Sequence, residues 1–398
     1  MLAVDAQDGW VEAEGMVTYE DLTAACLAQG VMPAVVPQLK TITLGGALAG
    51  VGIESSSHRH GLVHDTALEL DVLLGDGRVV TATRDNAHAD LFFGFPNSYG
   101  TLGYALRVKA KAVPVQPYVR LEHLDFFDAG IYFSELEKRL RAGAADFVDG
   151  TVFSPKKMFI TLGYFTDKAP YTSDYTFDKI YYRSIAARRD DFLTIRDYLW
   201  RWDTDWFWCS KNVLAQNRFF RRFVFGKERL GSRHYTKIMR WNSRVGLTRR
   251  IEKLLGLHSE SVIQDVDIPI ARAAEFLDFY QKTISLWPLW VCPVGPVKDA
   301  GGGTPQFTLY PMRENWYVNF GFWDVKRTRE THAAGHFNRL IEAKVVELGG
   351  IKSLYSDSYF SEDEFNRLYG GETYRALKAK YDPGGAFPGL YQKVVLKA

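Results

Sequence analysis

The sequence predicts an α+β fold, in which antiparallel strands and helices mix without the steady βαβ rhythm of a doubly wound sheet. The first reason is length, because 398 residues are too many for one ordinary domain and suffice for two packed units. The second is composition, since 46% hydrophobic and 24% charged residues are typical of a globular protein. The third is the pattern, in which short segments of alternating apolar and polar residues lie between helical segments.

Charge, cysteine content and hydrophobic runs exclude several classes of protein. Lysine and arginine (49) nearly balance aspartate and glutamate (47), so the formal net charge of +2 gives no argument for a nucleic-acid partner. No apolar run approaches the roughly 18 residues of a membrane-spanning helix, and the first residues lack the basic start of a secretory signal. The three cysteines are far apart without a CxxC pair, which excludes a disulfide scaffold and a zinc ribbon. We therefore expect a cytoplasmic protein.

The first elements are a short strand, a capped helix and a hairpin. Residues Val11–Glu14 alternate as a strand does, and Thr18 with an acid three residues later marks a helix N-cap. Gly30 is the expected end of that helix. Residues 68–83 alternate on both sides of a Gly75–Gly77 turn, which predicts the hairpin.

A domain boundary is predicted where prolines interrupt the chain. A short helix at 89–93 and an alternating strand from Tyr104 precede Pro114 and Pro117. The expected units are a first domain at 1–117, a second domain at 118–345, and a helical segment at 346–398 that returns to the first domain.

The second domain and the last segment read as strands and helices in irregular order. The sequence predicts strands at Phe159–Phe165 and Trp316–Phe322, helices near Asp190–Trp200 and Ala271–Ile284, and an exposed loop at Gly301–Gly303. In the last segment Ser361 begins a capping box, and Asp382–Gly385 breaks the chain.

The most informative feature is a glycine-dense run from Thr43 to Ser57. It has neither the strand–GxGxxG–helix context of a Rossmann fingerprint nor a P-loop pattern. Glycines at 45, 46, 50 and 52 let bare backbone approach a large flat or phosphorylated ligand. Backbone amides and the hydroxyls of Ser55–Ser57 can then donate to anionic oxygens. The alternative is a tight turn packed against neighbouring strands.

Several motifs in chain order give the sequence a resemblance to a known family. They are Thr43–Gly46 with Gly50 and Gly52, His58 with His60 and Gly61, the Gly75–Gly77 hairpin, Asp90–Phe92 and Gly100–Gly103. Together they resemble the second half of the PCMH-type FAD-binding domain of the vanillyl-alcohol-oxidase/p-cresol-methylhydroxylase superfamily. The narrower resemblance is to the delta-24-sterol reductase (seladin/diminuto) group, carried by Gly52–His58, Trp287–Pro293, Trp316–Gly321, Leu354–Tyr359 and Ala386–Tyr391. It is strong over 1–117 and 262–398 and loose across 140–260.

The resemblance implies a partial PCMH-type FAD-binding domain, a cap domain with an antiparallel sheet, and flanking helices. It places noncovalent FAD along the glycine run, because no cysteine stands where relatives attach the flavin. The cofactor-binding residues that it implies are Thr43, Leu44, Gly45, Gly46, Gly50, Gly52, Ile53, Glu54, Ser55, Gly100, Thr101 and Gly103. Relatives carry a further glycine loop in a preceding subdomain, so we expect this chain to begin after that loop and to bind little flavin.

Three residues are candidates for catalysis. Tyr355 and Asp357 fall in a segment that, in the superfamily, contributes to the active site, where a phenol can give a proton to carbon after hydride transfer and a carboxylate can hold the phenol. His58, just past the glycine run, can shuttle protons at neutral pH. The alternatives are a core ring for Tyr355 and a hydrogen-bonded surface histidine for His58.

The expected activity is that of a FAD-dependent oxidoreductase acting on a lipophilic, sterol-like or polyprenyl-like substrate. Reduction of a C=C bond with NADPH as electron source is the leading reaction. A FAD-linked alcohol oxidase or dehydrogenase is the second, and a truncated, non-catalytic lipid- or membrane-binding homologue is the third. No group of His, Cys, Asp and Glu has metal-ligand spacing, so no metal is expected.

Two further segments bear on the substrate and on partners. The aromatic strings Trp200–Trp202 and Trp206–Trp208 suit either an apolar pocket wall or a core. Residues 218–253 carry twelve lysines and arginines against two glutamates, with phenylalanines between them. Such a segment suits an anionic membrane surface better than a nucleic acid, for which no motif is present. We expect peripheral contact with the inner face of a membrane, and the alternative is a solvated face.

Overall fold

Two antiparallel sheets organise the protein, whose computed structural model describes residues 1–235, 237, 256–297 and 306–397. The first sheet has the order β1-β2-β6-β4-β5, with β3 paired to β6. Its strands are β1 (Ala3–Asp5), β2 (Trp10–Glu14), β3 (Val31–Pro33), β4 (Ala67–Leu73), β5 (Val79–Thr83) and β6 (Tyr104–Pro114). Together with the helices below, this architecture confirms the predicted α+β class.

The second sheet is larger and has the order β10-β7-β9-β8-β12-β13-β11-β14. Its strands are β7 (Tyr118–Phe126), β8 (Phe147–Ser154), β9 (Lys157–Thr166), β10 (Asp190–Thr194), β11 (His258–Pro269), β12 (Leu289–Val294), β13 (Tyr317–Thr328) and β14 (Ile351–Lys352). The aromatic strands predicted from the sequence are β9 and β13. The chain passes from the first sheet to the second between Pro114 and Tyr118.

Helices cover both sheets. They are α1 (Tyr19–Leu27), α2 (Leu44–Ala49), α3 (Ser57–His60), α4 (Ala89–Gly94), α5 (Ala129–Ala142), α6 (Tyr181–Ile185), α7 (Ile195–Leu199), α8 (Ala273–Thr283), α9 (His336–Glu347), α10 (Glu362–Leu368) and α11 (Gly371–Tyr381). A π-helical turn spans Phe220–Phe225.

The second sheet is buried on both faces. Along β12, Leu289 and Val291 belong to a core shared with α5, α8 and α9, whereas Trp290 and Cys292 face a core shared with the first sheet. Successive strand residues point to opposite faces of a sheet. The second sheet therefore has its helices on one face and the first sheet on the other. The face that carries Trp290 and Cys292 therefore lies toward the first sheet, where it can form a site with the glycine run.

Local predictions at the start of the chain are confirmed. Thr18 caps α1 by accepting a hydrogen bond from the Asp21 amide at 3.2 Å, and Gly30 adopts a left-handed φ of +75°. The hairpin pairs β4 with β5 up to Leu73 and Val79. Side-chain capping and turn glycines are local devices, which explains why the sequence alone indicates them.

One predicted helix is wrong in its first half. Residues Asp190–Thr194 form strand β10, paired with β7, and the helix is confined to α7. Asp191 is buried there and accepts a hydrogen bond from Ser173 at 2.6 Å. Tertiary pairing therefore overrides the helical pattern, and Thr194 caps the shorter helix that remains by accepting from the Asp197 amide.

The C-terminal helices pack against the first unit. Tyr374 of α11 donates to the Thr101 hydroxyl at 2.9 Å, and Lys378 donates to the Thr101 carbonyl at 2.8 Å. Tyr381 donates to Asp90 at 2.6 Å. Ser361 caps α10 through the Glu364 amide, as its capping box predicts.

Parts of two predictions lie outside the described residues. These are the Gly301–Gly303 loop and most of the basic segment after residue 235. Within the described part of the chain, no helix has the length and apolar content needed to cross a membrane.

Candidate active site

A cavity of about 500 Å³ lies between the glycine run and the second sheet. Cofactor and substrate pockets commonly have this size and an apolar lining with a few polar groups. The lining residues are Pro37, Gln38, Leu39, Ile42, Gly46, Ala47, Gly50, Val51, Gly52, Ile53, Tyr99, Trp206, Phe207, Cys209, Tyr235, Ile263, Asp265, Trp290, Trp323 and Tyr355. Four of the predicted cofactor-binding residues, Gly46, Gly50, Gly52 and Ile53, are therefore among them.

The glycine run forms the short helix α2 and the turn after it, and its glycines serve different purposes. Thr43 caps the helix by accepting from the Gly46 amide at 3.2 Å. A Cβ at Gly45 would stand 3.0 Å from the Gly15 carbonyl oxygen, so Gly45 allows close packing on the first sheet. A Cβ at Gly52 would stand 2.5 Å from Val63. These two glycines fulfil the packing interpretation, although Gly52 also borders the cavity.

Gly50 fits the ligand interpretation better. A Cβ there would lie 3.1 Å from the Gly46 carbonyl oxygen and 3.6 Å from the Tyr99 hydroxyl. Both neighbours line the cavity. Because residue 50 is a glycine, the cavity wall at this point is backbone without a side chain.

A tyrosine–carboxyl pair forms the polar centre of the opposite wall. The Tyr355 hydroxyl donates to Asp265 Oδ2 at 2.7 Å and accepts from Trp323 Nε1 at 2.8 Å. Asp265 lies on β11 and Trp323 on β13, and the sheet register places Trp323 opposite Ile263, two residues from Asp265. Neighbouring strands thus hold both partners of Tyr355 in a fixed geometry.

Burial shifts the acidity of this pair. It raises the pKa of Asp265 to about 7, against the lowering effect of the Tyr355 hydrogen bond. Tyr355 is 45% exposed, but desolvation around its hydroxyl and the adjacent Asp265 raise the pKa of Tyr355 above its usual value. The phenol therefore stays protonated at neutral pH, while the carboxyl can gain or lose a proton near pH 7. Such a pair can deliver a proton to a substrate atom and recover it.

Two residues of the predicted cofactor set lie behind the cavity in a buried ion cluster. Arg201 Nη2 is 2.9 Å from Glu54 Oε1 and 2.8 Å from Asp149 Oδ2. The Ser55 hydroxyl is 2.8 Å from the Tyr198 hydroxyl. Glu54 and Ser55 thus join the first sheet's unit to the second, and their side chains are engaged with protein partners.

The remaining predicted site residues lie elsewhere. Thr43, Leu44 and Gly45 begin the helix that carries the cavity wall. Gly100, Thr101 and Gly103 lie under α11, which hydrogen-bonds to Thr101. A Cβ at Gly103 would stand 2.6 Å from the Leu73 carbonyl oxygen, which gives that glycine a packing reason.

The other two catalytic candidates are not brought to Tyr355. His58 is buried, with its ring nitrogens 2.9 Å and 3.1 Å from the carbonyl oxygens of Ser55 and Ala145. Burial lowers the pKa of His58 to about 4. Asp357 pairs with Lys397 and does not line the cavity. The carboxyl that holds Tyr355 is that of Asp265.

The sequence analysis did not single out Gln38, Tyr99, Asp265 or Trp323. A usable signal existed for Asp265, since two carboxylates, Asp265 and Asp267, stand among the apolar residues between Ile263 and Ile268. The other three stand in unremarkable contexts, and only the fold brings them to the glycine run.

The aromatic strings contribute both wall and core. Trp206 and Phe207 line the cavity, while Trp202 stacks on Phe207 with ring centroids 4.9 Å apart. Residues Trp206, Phe207 and Trp208 all adopt left-handed φ values, of 53°, 49° and 60°. Both interpretations of the strings therefore apply, to different residues.

The cavity fits the flavin ring that the resemblance implies. Gln38 is buried in its wall, and neither its amide nitrogen nor its amide oxygen has a hydrogen-bond partner among the described residues. A buried amide donor and acceptor left unpaired are costly, so a ligand that supplies both complements is expected. The edge of a flavin ring alternates C=O and N–H groups, and its flat face suits bare glycine backbone. In the described part of the chain, no cluster of His, Cys, Asp and Glu could hold a metal ion.

Comparisons with known proteins agree with this geometry. Residues 1–83 match the FAD binding domain family. The chain is 26% identical to the Delta(24)-sterol reductase of Homo sapiens, over 99% of this chain and 76% of that protein. It is 26% identical to the Delta(24)-sterol reductase of Arabidopsis thaliana, over 99% and 74%, and 25% identical to cytokinin dehydrogenase 7 of Oryza sativa subsp. japonica, over 94% and 71%. The resemblance predicted from the sequence is confirmed, and the protein is a FAD-dependent oxidoreductase whose sequence is similar to the Delta(24)-sterol reductases over nearly its whole length.

Proposed function

We propose that the protein reduces a C=C bond of a lipophilic, sterol-like or polyprenyl-like substrate, with NADPH as the source of electrons. The observation that carries this proposal is the cavity, whose walls are mainly aliphatic and aromatic and whose polar centre is the Tyr355–Asp265 pair. An apolar wall suits a hydrocarbon substrate, and a phenol is a suitable acid for protonating carbon. The names of the sterol-reductase relatives agree with this chemistry.

The glycine backbone and Gln38 would hold the cofactor. Gly46, Gly50, Gly52 and Ile53 would lie along it, with Gln38 pairing to the ring edge. When bound, FAD would supply the hydride that the reduction of the double bond needs. Side chains of this protein would protonate the second carbon, stabilise the charge that this leaves, and exclude water.

Tyr355 would donate its hydroxyl proton to the other carbon of the double bond. Trp323 Nε1, which already donates to the phenol oxygen at 2.8 Å, would stabilise the negative charge left on that oxygen. Protonated Asp265 would then return a proton to Tyr355, which its pKa of about 7 permits near neutral pH. Trp206, Phe207 and Trp290 would exclude water from the reacting carbons.

The test is turnover of a sterol with one isolated side-chain double bond. Protein supplied with FAD and NADPH under anaerobic conditions should yield a product heavier by two hydrogen atoms, detected by mass spectrometry. Tyr355→Phe should still allow NADPH to bleach the flavin absorbance but should form little product, because only the proton donor is lost. Unchanged turnover in Tyr355→Phe would remove this mechanism, and absence of product from the unaltered protein would remove the reductase assignment.

A FAD-linked oxidase or dehydrogenase of a lipophilic alcohol is the second candidate. The observation that favours it is the same carboxyl, since a group with a pKa of about 7 also serves as a general base for an alcohol proton. Alcohol-dependent reduction of an artificial dye without NADPH would identify this activity. Protein that takes up no flavin and still binds lipid would indicate the non-catalytic homologue.

We also propose that the protein is cytoplasmic and rests peripherally on an anionic membrane, without a nucleic-acid partner. A substrate that is nearly insoluble in water is drawn most readily from a bilayer. The basic segment that begins at Arg218 supports this proposal, because cations near an anionic surface each contribute about 1 kcal/mol.

A further inference from the structure

A basic pocket lies beside the start of the basic segment, outside the site described above. It encloses about 340 Å³, and its lining carries five cations and one carboxylate. The cations are Lys179, Arg183, Arg188, Arg218 and Arg221, and the carboxylate is Asp178. Tyr175, Ser184 and Gln216 add polar groups to the lining. Such an excess of cations around a concave surface concentrates anions.

Arg221 is the most buried cation of this pocket. It is only 2% exposed, and its Nη1 donates to the Ala215 carbonyl oxygen at 3.2 Å. Its Nε donates to the Phe177 carbonyl oxygen. Its Nη2 is buried and has no hydrogen-bond partner among the described residues. A guanidinium fixed by backbone carbonyls with donor capacity left over is prepared for an added oxyanion.

Charge compensation within the described chain is incomplete. Arg188 is paired with Asp191 at 3.2 Å, and Arg183 donates to the Gln216 side chain at 2.7 Å. Lys179 and Arg218 form no ion pair with a described residue. The pocket therefore holds two surface cations that form no ion pair within the described chain, next to a buried cation with a spare donor.

An apolar tip stands directly next to this pocket in the chain. We define the apolar tip as Leu214, Phe219, Phe220, Phe223 and Val224, whose exposed fractions range from 37% to 72%. The rings of Phe219 and Phe223 lie 5.1 Å apart, which makes the tip a continuous aromatic surface. Exposed apolar clusters of this kind mark interaction surfaces, and aromatic groups rimmed by cations suit the interface of a bilayer.

We propose that the pocket binds the phosphate of an anionic phospholipid while the apolar tip inserts into the bilayer around it. The inference rests on the membrane association proposed above and names its site. Phosphate offers several oxyanion oxygens to a cluster of arginines, which is the geometry that guanidinium groups recognise best. Arg218 borders the tip and lines the pocket, so one surface presents both features.

Cosedimentation with vesicles tests the site. The protein should pellet with phosphatidylcholine vesicles that contain roughly one-third phosphatidylglycerol in about 0.1 M salt, and not in about 1 M salt. Lys179→Glu/Arg218→Glu should weaken this binding by at least about tenfold, since two surface cations become carboxylates and the net charge falls by four. Phe219→Ser/Phe223→Ser should weaken it without changing its salt dependence. Arg221 is left unaltered because it is buried.

The matched control is Lys138→Glu/Arg141→Glu on α5, which makes the same change of charge at exposed positions on another helix. It should bind like the unaltered protein, and circular dichroism should show every variant folded. If the unaltered protein ignores the vesicles, membrane association itself is wrong. If the pocket variant binds as well as the control, the membrane proposal stands and this site is wrong. If the pocket variant loses affinity for inorganic phosphate or NADPH but not for vesicles, the pocket takes a soluble phosphate, which also overturns the inference.

Discussion

At the scale of single residues, the proposed chemistry depends on one carboxyl whose acidity is set by burial. Asp265 is almost enclosed, and its close partner is a phenol and not a cation. Burial without a compensating cation disfavours the charged form. The same environment also keeps Tyr355 protonated. In the proposed mechanism, proton supply to the substrate therefore depends on the position of Asp265 on β11 and not on an ion pair.

Asp265→Asn should alter how stability depends on pH. The folded protein raises the pKa of Asp265 to about 7, above its ordinary value of 3.8. The contribution of this carboxyl to stability is thus full below about pH 4 and is lost as pH rises through about 7, by up to about 4 kcal/mol. Urea unfolding at several pH values measures this slope. The variant should have a flatter profile than the unaltered protein, and two parallel profiles would contradict the assignment.

At the scale of elements, helix α2 shows why a glycine run needs a structure to interpret it. Gly45 and Gly52 avoid clashes with Gly15 and Val63, whereas Gly50 keeps space at the cavity. All three look alike in the sequence. The packing interpretation therefore holds at Gly45 and Gly52, and the ligand interpretation stays a prediction at Gly50.

Gly50→Ala should weaken FAD binding more than it weakens the fold. Its Cβ would stand 3.1 Å from the Gly46 carbonyl oxygen, which is closer than an ordinary van der Waals contact, and 3.6 Å from the Tyr99 hydroxyl oxygen. We expect at least about a tenfold rise in the dissociation constant, as one lost contact of about 1.4 kcal/mol produces. Quenching of flavin fluorescence on titration measures it. Gly384→Ala is the control, because a Cβ there meets nothing within 4 Å; equal affinity in both variants would show that Gly50 does not face the cofactor.

Elements with local signals were predictable, and elements that depend on distant partners were not. The Thr18 cap, the 68–83 hairpin and the Ser361 cap follow from neighbouring residues. Residues 190–194 were predicted to be helical because their pairing with the distant strand β7 has no signal in the neighbouring sequence. Asp265 and Tyr355 reach the glycine run only through the second sheet, more than two hundred residues later in the chain. Fold class and the glycine wall could therefore be predicted from the sequence, whereas only Tyr355 of the proposed catalytic pair could.

At the scale of the whole molecule, the two sheets are joined by a buried charge cluster. Arg201 connects Glu54, near the end of the glycine run, to Asp149 of β8. Trp290, a cavity residue, donates to the same carboxylate of Asp149 at 3.2 Å. The cluster ties the position of the glycine wall to that of the aromatic wall, so the shape of the cavity depends on it.

Arg201→Met should destabilise the protein by about 3–5 kcal/mol, because it leaves two buried carboxylates without their cation. Arg141→Met on α5 removes an exposed pair and should cost less than about 1 kcal/mol. Calorimetry or urea unfolding compares the two. A small effect of Arg201→Met would mean that water reaches the cluster and that the sheets are held together mainly by their apolar core.

The left-handed backbone of Trp206–Trp208 bears on which substitutions selection can favour there. Three bulky residues occupy a backbone conformation that costs about 1–2 kcal/mol each and that glycine adopts freely. A glycine at 207 would relieve that strain and would also delete an aromatic face from the cavity. That ring also packs on Trp202 and Trp323, with ring centroids 4.9 Å and 4.6 Å away, and losing a packed aromatic ring costs more than the strain that glycine relieves. Selection for heat resistance and selection for turnover should therefore both keep the ring at this position.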